Sequence, residues 1–386
     1  MIRRIVYLFI ATVLTQQARC DVDKDWMRQT LAEHFSAPRH HVTNPVYKNA
    51  AMTFIRDQFR EMGLEAHVHT FSTLLPNVTG VNVVGLLKGR YFNTKDDSVA
   101  AIAAHYDTMR DTPGVNDNGA AVVAMLQAAR ELSRQLTRNS TVMFFAFDLE
   151  EWEQNVAQIA CASLSCGSRA LVNQWLSNFF TAPITWKGVL VMDTIFNFDS
   201  NQETQTLPPG AEQMFPDVAR DVDSDGKRGD FLLITGRDYD ARLVTNFNDT
   251  WNRLGETQYE IEALVLPIPN PTPEGILFDA TFADVVRSDH SSFWTEGYRA
   301  VFLTDTANFR GYMTQCYHHQ CDNLTYVSDT KIGFIAKTAR TLISVVDGMA
   351  PAVEGSTNKG GYVHEGCVAI PLALTLLLGG KLLKFE

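Results

Sequence analysis

Short runs that are apolar at nearly every position recur along the chain, at residues 81–87, 99–104, 141–147, 188–192, 231–235, 263–266 and 300–304. Runs of this kind predict strands buried on both faces, as in a parallel sheet, not the alternating strands of a half-solvated one. Between them, residues 47–62, 120–136, 168–179, 241–254 and 331–347 carry apolar positions at three- and four-residue spacing and predict helices. Alternation of strand and helix predicts an α/β fold, a single three-layer α/β/α sandwich around a mostly parallel, mixed central sheet. No internal repeat and no low-complexity linker divides residues 21–348. In such sheets, sites form at the carboxyl ends of the strands, so those ends are where chemistry is sought.

The two termini follow a different pattern. Arg3 and Arg4 precede an apolar stretch at 5–14, and Ala18 and Cys20 put small residues before Asp21. Residues 1–20 therefore predict a signal peptide cleaved before Asp21, leaving 21–350 as the main folded domain. Residues 351–386 form a polar spacer and an apolar tail too short to cross a bilayer. They fit a GPI-anchor signal with Gly355 or Ser356 as attachment point, although the ending Lys381-Leu382-Leu383-Lys384-Phe385-Glu386 is unusually charged for one. The other expectation is a secreted protein with an apolar tail.

Export changes how the remaining marks read. The triplets at Asn77, Asn139, Asn248 and Asn323 are glycosylation acceptors. Four of the six cysteines form two close pairs, Cys161/Cys166 and Cys316/Cys321. In an oxidising compartment two small-loop disulfides are the simplest pairing, with a zinc knuckle as the alternative. The 386 residues include 33 Lys and Arg against 44 Asp and Glu, a net charge of −11. That balance, with no basic run, argues against nucleic acid as a partner. It leaves the membrane reachable only through the C-terminal lipid anchor.

The predicted strand ends carry the chemistry. The strand 99–104 runs into His105-Tyr106-Asp107, followed by a loop containing Asp117. The strand 141–147 runs into Asp148-Leu149-Glu150-Glu151, the strand 188–192 into Asp193, and the last strand leads to Tyr317-His318-His319. Zinc takes imidazole and carboxylate ligands, and a two-zinc site shares a bridging carboxylate. His105, Asp117 and Asp193 can furnish one metal, and Asp117, Glu151 and His318 the other. Three carboxylates and two neutral imidazoles would leave two Zn²⁺ with one net positive charge, enough to hold a hydroxide and polarise a carbonyl. Glu150 is then free to act as general base, and Asp107 can accept the free N–H of His105. Cobalt or manganese would also suit these ligands.

The order of these residues resembles the co-catalytic zinc aminopeptidase family, metallopeptidase family 28. The resemblance is carried by His105-Tyr106-Asp107-Thr108, by Gly114-Val115-Asn116-Asp117-Asn118-Gly119-Ala120 and by Phe145-Ala146-Phe147-Asp148-Leu149-Glu150-Glu151. Ser288-Asp289-His290-Ser291-Ser292-Phe293-Trp294 and Asp305-Thr306-Ala307-Asn308-Phe309-Arg310, leading to Tyr317-His318, extend it over roughly residues 80–345. The family includes secreted bacterial leucyl aminopeptidases, plasma glutamate carboxypeptidase and glutaminyl cyclases. The resemblance implies the zinc-exopeptidase (phosphorylase/hydrolase-like) sandwich, with two Zn²⁺ per chain on His105, Asp117, Glu151, Asp193 and His318, and Glu150 as general base. It also implies that a Cys316–Cys321 bridge stiffens the loop presenting His318.

Two stretches depart from that family's pattern. Residues 152–166 separate the Glu pair from the Gly167-Ser168 element and read as an insertion closed by Cys161–Cys166. The segment 267–273, with four prolines, reads as a stiff rim loop. Asp221-Val222-Asp223-Ser224-Asp225-Gly226 resembles the start of a calcium loop, but Leu232 stands where the closing Glu belongs, so it reads as a solvated acidic loop. The expected function is a secreted or surface-tethered zinc aminopeptidase acting on peptides with a free N-terminus. A metal-bound hydroxide aligned by Glu150 would attack the first peptide carbonyl. The alternatives are a carboxypeptidase or dipeptidase, a glutaminyl cyclase (disfavoured because Tyr317 stands where those relatives carry Trp) and a non-catalytic binding ectodomain.

Overall fold

The structure, a computed structural model, describes residues 22–73, 77–134, 137–151, 166–270, 272 and 282–353. The expected signal peptide, nearly all of the expected tail, Cys161 and most of the 152–166 insertion lie outside the described residues. The described residues all belong to one compact unit.

Eight strands form one sheet: β1 (Glu65–Ser72), β2 (Thr79–Leu87), β3 (Ser98–His105), β4 (Thr141–Phe147), β5 (Thr185–Met192), β6 (Phe231–Arg237), β7 (Glu260–Leu266) and β8 (Ala300–Thr304). Their order is β1-β2-β4-β3-β5-β8-β6-β7. The central run β4-β3-β5-β8 is parallel throughout, and β6 and β7 are parallel to each other. The pairs β1–β2, β2–β4 and β6–β8 are antiparallel. In this register His105 lies opposite Phe147, and Ala104 opposite Met192. The three segments that follow these strands therefore leave the sheet at one level.

The helices are α1 (Lys24–His34), α2 (Pro45–Glu61), α3 (Ala121–Ser133), α4 (Gly167–Ala170), α5 (Ser177–Phe179) and α6 (Ala211–Met214). After them come α7 (Pro216–Ser224), α8 (Ala241–Arg253), α9 (Ala283–Val286), α10 (His290–Thr295), α11 (Met313–Cys316) and α12 (Asp329–Met349). One layer holds α1, α2, α3, α8 and α12, with α12 packed on α3 and α8. The opposite layer holds α4, α10 and the stretch between α4 and α5. There Leu171, Leu176, Phe293 and Trp294 pack on Val84, Ala101, Phe145 and Val191. Every residue of β3 from Val99 to His105 is buried, which is why its sequence reads as one apolar run.

The sandwich and all seven predicted strands are present, and the predicted limits 141–147 and 300–304 match β4 and β8. β1 is additional. It is an edge strand with Glu, His and Thr among its residues and half of its positions exposed, so it carries no continuous apolar signal. α1 is also additional, capped by the Asp23 carboxylate, which accepts from the Trp26 N–H at 2.9 Å. The predicted helix at 168–179 is α4 and α5 joined by a π-type turn, Leu171–Leu176. The acidic stretch is corrected: Asp221–Ser224 belong to α7, which begins at Pro216, where proline suits a first turn.

Candidate metal centre

β3 delivers His105 as its last residue. The next segment turns back over the sheet and enters α3 through a π-type turn, Val115–Ala120, that carries Asp117. The turn needs Gly114: its φ is +63°, and a Cβ there would lie 2.2 Å from the Asp117 carbonyl oxygen. Arg39, fully buried, clamps the segment by donating to the carbonyls of Tyr106, Pro113 and Gly114 at 2.6–2.8 Å. Asp322 accepts from the backbone N–H groups of Asn116 and Asp117 at 2.9 and 3.0 Å. The Asn118 amide donates to the Met192 carbonyl at 2.9 Å and accepts from Thr194 N–H at 3.1 Å. That pair of bonds ties the Asp117 turn to the end of β5, where Asp193 follows.

Beyond β4 the chain turns sharply, with Leu149 at φ +56°. Asp148 holds this turn: Oδ1 accepts from the Leu149 N–H, and Oδ2 from the buried Lys48 ammonium and the Val81 N–H, all at 2.7–2.8 Å. Asp107 accepts from the N–H groups of Glu150 and Glu151 at 3.2 and 3.0 Å. Its Oδ1 also lies 3.5 Å from His105 Nδ1. One carboxylate thus orients an imidazole and the acidic pair together.

The candidate residues meet at this rim. His105 Nε2 lies 3.4 Å from Asp117 Oδ1 and 3.5 Å from Asp193 Oδ1. His318 Nε2 lies 3.4 Å from Asp117 Oδ2 and 3.1 Å from Glu151 Oε1. The two oxygens of Asp117 therefore face two different imidazoles, as a carboxylate shared between two cations would. Two groups have the spacing of metal ligands: His105, Glu150 and Asp193, and Asp117, Glu151 and His318. Both ring nitrogens of His105, His318 Nε2 and Asp117 Oδ1 are buried without a hydrogen-bond partner. Buried polar atoms are rarely left so, and imidazole with carboxylate is a donor set that suits zinc. The residues present thus fit a pair of such ions.

The electrostatics agree with a site built for cations. Burial pushes the Glu150 carboxyl well above its ordinary range; Asp193, Glu151 and Asp289 add to this and His105 opposes it. Burial and Asp117 raise Glu151 to about 8. Burial lowers His318, but Glu151 and Asp117 outweigh it and carry the imidazole to about 10. Cations bound among these groups would displace the protons that they otherwise hold.

His318 takes φ +62° on a loop closed by the disulfide Cys316–Cys321. Tyr317 stacks on its ring at 3.7 Å. His319 is turned away, with Nδ1 2.6 Å from the Tyr317 carbonyl. Cys166 is disulfide-bonded; its expected partner Cys161 lies outside the described residues. Of the glycosylation acceptors, Asn77 is exposed, whereas Asn139, Asn248 and Asn323 are half-buried. The Asn323 amide nitrogen donates to the Gln320 carbonyl at 3.0 Å.

Sequence reasoning missed the supports of this site, namely Arg39, Lys48, Asn118 and Asp322. Asp322 adjoins Cys321 and was visible only as one more acidic residue. It yields a prediction. In Asp322→Asn an amide nitrogen would face a backbone N–H, so stability should fall by about 1–3 kcal/mol and zinc affinity by about 10–100-fold. Urea denaturation and zinc titration check both, and unchanged zinc affinity would remove Asp322 from the site's support.

A second prediction concerns His290, fully buried between Phe302 and Trp294, with Nε2 2.8 Å from the Val285 carbonyl. Burial lowers it from 6.5 to about 4; Arg237 lowers it further, while the Val285 bond and Asp193 oppose. Its folded value lies below its unfolded one, so its contribution is complete above pH 6.5 and is lost as pH falls towards 4. Between pH 7 and 5 the loss is about 2 kcal/mol. Urea midpoints at the two pH values should show this extra loss in the wild type and not in His290→Gln.

Imidazoles and carboxylates gathered at the strand ends of an α/β/α sandwich define a candidate metal centre. The profile of peptidase family M28 matches residues 82–227 and 235–343, and the chain belongs to that family. The chain is 23% identical over 249 residues to the uncharacterized protein YfbL of Escherichia coli, covering 61% of this chain and 64% of that one. It is 36% identical over 75 residues to aminopeptidase YwaD of Bacillus subtilis, covering 19% and 16%. The chain thus spans less than two thirds of either curated relative. Among solved structures, a zinc-dependent exopeptidase of Parabacteroides distasonis superposes with a TM-score of 0.57 at 14% identity, covering 85% of this chain and 99% of that one. Glutaminyl cyclase of Porphyromonas gingivalis gives 0.56 at 15%, again covering 85% and 99%. At these identities the likeness is one of fold.

Proposed function

We propose that this chain is a secreted or surface-tethered aminopeptidase that uses two zinc ions and removes single residues from peptides with a free N-terminus. The observation that carries the reading is Asp117, whose two oxygens each face a different imidazole at 3.4 Å. His105, Asp117 and Asp193 would hold one ion, and Asp117, Glu151 and His318 the other. Bound there, zinc supplies Lewis-acid polarisation of a carbonyl and lowers the pKa of water. Glu150 takes the proton of the attacking water and returns it to the departing amine nitrogen. Asp107 keeps His105 and the Glu150-Glu151 turn in register through its three contacts. Asp289, which holds neither ion in this reading, acts on Glu150 as a neighbouring negative charge, and such a carboxylate beside the ions can receive a substrate ammonium. Kinship with a protein named as an aminopeptidase, over 75 residues, supports the same direction.

One observation favours a second reading, a carboxypeptidase or dipeptidase. Arg287 acts on Asp193 and Asp117 as a neighbouring cation and lies 5.5 Å from the Tyr317 ring centroid. It could receive a substrate carboxylate, although it already donates to Asn308 Oδ1 at 2.8 Å. The test is digestion of free, N-acetylated, C-amidated and N-terminal Gln peptides by the zinc-loaded full chain, made in a secretory host and read by mass spectrometry. Loss of single N-terminal residues from free and amidated peptides alike, with acetylated ones intact, is the expected result. Dependence on a free carboxylate would favour the second reading, and cyclised Gln ends a cyclase.

A further inference from the structure

The acidic stretch before β6 lacks an acidic residue at 232, where a calcium loop would close. The tertiary structure supplies one from elsewhere. After α7 the chain turns at Gly226, φ +85°, and brings Asp230 to the start of β6. β7 pairs alongside in parallel, with Glu260 opposite Phe231, and the Glu260 N–H donates to the Asp230 carbonyl at 2.9 Å. One carboxylate oxygen from each of Asp225, Asp230 and Glu260 lies within 4.8 Å of the other two. Oxygens sharing a Ca²⁺ at about 2.3–2.6 Å can be no more than roughly 5 Å apart, so this spacing is one that a single ion accepts.

A second observation is independent of the clustering. Asp230 is only 6% exposed, and its Oδ1 is buried with no hydrogen-bond partner. An anionic oxygen taken out of water without a donor is costly unless a cation meets it. Carboxylates outnumber the cations around it. Asp221 and Glu262 flank the group, and Glu262 is pushed up to about 8 by burial and by Asp221, Glu260 and Asp225. The cations acting on Asp230 are Arg310 and Arg228. Arg310 donates from Nε to Gln205 Oε1 at 2.7 Å and from Nη1 to the Phe231 carbonyl at 2.6 Å, and its Nη2 is buried without a partner. Lys227 pairs instead with Asp223, at 3.7 Å.

We propose that Asp225, Asp230 and Glu260 form a calcium site joining the end of α7 to the first residues of β6 and β7. The donor set is all oxygen, with no imidazole or thiolate, which suits a hard cation and not zinc. Asp225 is half-buried and Glu260 exposed, so water can complete the coordination. The site stands apart from the zinc reading, since it uses none of the same residues.

The experiment uses the zinc-loaded full chain in calcium-depleted buffer, titrated with CaCl₂ by calorimetry and followed by thermal unfolding. One Ca²⁺ should bind per chain, with Kd of roughly 10⁻⁴–10⁻³ M or tighter. At a hundredfold excess over Kd, Tm should rise by roughly 4 °C. The double variant Asp230→Asn/Glu260→Gln relieves the repulsion that the ion would offset. It should keep its zinc and a calcium-free Tm no lower than that of the wild type, and should lose both the binding heat and the Tm rise. A wild type that binds no calcium at millimolar concentration, or a double variant that keeps the rise, overturns the proposal. Should the double variant fail to fold, Asp225→Asn replaces it: at least a tenfold weaker Kd is expected, and an unchanged Kd overturns the site.

Discussion

Glu150→Gln is expected to lower turnover by about 10³–10⁴-fold while the zinc content per chain stays unchanged. The expectation rests on two jobs assigned to one side chain, removing a proton from water and delivering it to the leaving amine; a single positioned acid–base group contributes about 10²–10⁴-fold. Gln keeps the size of the residue and its backbone N–H, which donates to Asp107 Oδ1 at 3.2 Å, so the turn carrying Glu151 should survive. It cannot take a proton. Turnover and KM with a free-amine peptide, together with zinc content, separate this role from a structural one: kcat should fall and KM should move little. Undiminished kcat would remove Glu150 from the chemistry. Loss of zinc along with kcat would make Glu150 a ligand, an outcome its placement with His105 and Asp193 allows.

Asp117→Ala is expected to reduce bound zinc from two ions to one or none and to weaken affinity for what remains by more than about 10²-fold. Asp117 is the residue that the two proposed metal positions share, with Oδ1 towards His105 and Oδ2 towards His318. Its removal deprives each position of a ligand and leaves more positive charge for the remaining carboxylates to neutralise. Activity should fall with the metal. Metal analysis after gel filtration reads the result; two ions retained would refute a shared carboxylate. The fold should tolerate the change better than Asp322→Asn, because the Asp117 N–H keeps its acceptor in Asp322 Oδ2 at 3.0 Å.

Four of the candidate residues were legible because each follows a buried apolar run. His105, Glu150, Glu151 and Asp193 stand at or just beyond the ends of β3, β4 and β5, and a charged residue there is conspicuous against the Val, Ala and Phe before it. β1 was not legible, since an edge strand half open to solvent has no need of an apolar run. The supports were not legible for another reason. Lys48 reaches Asp148 across 100 residues, and Asp322 reaches Asp117 across 205. A lysine inside a helix and an aspartate beside a cysteine look in sequence like solvated charges. Only folding takes them out of water and gives them partners.

Local composition determined a good deal by itself: the strand–helix alternation, the largely parallel sheet and the positions of imidazole and carboxylate along the chain. These depend on hydrophobic runs and on residue type, which need no knowledge of distant partners. The tertiary structure decided the rest. It set Asp117 between two imidazoles, turned His105 so that Nδ1 faces Asp107 while Nε2 faces Asp117 and Asp193, and brought Glu260 beside Asp225 and Asp230. Each of these follows from strand register and from the turns at Gly114, Leu149 and Gly226. Register and turn direction are settled when distant segments pack together, and no single stretch of the chain contains them.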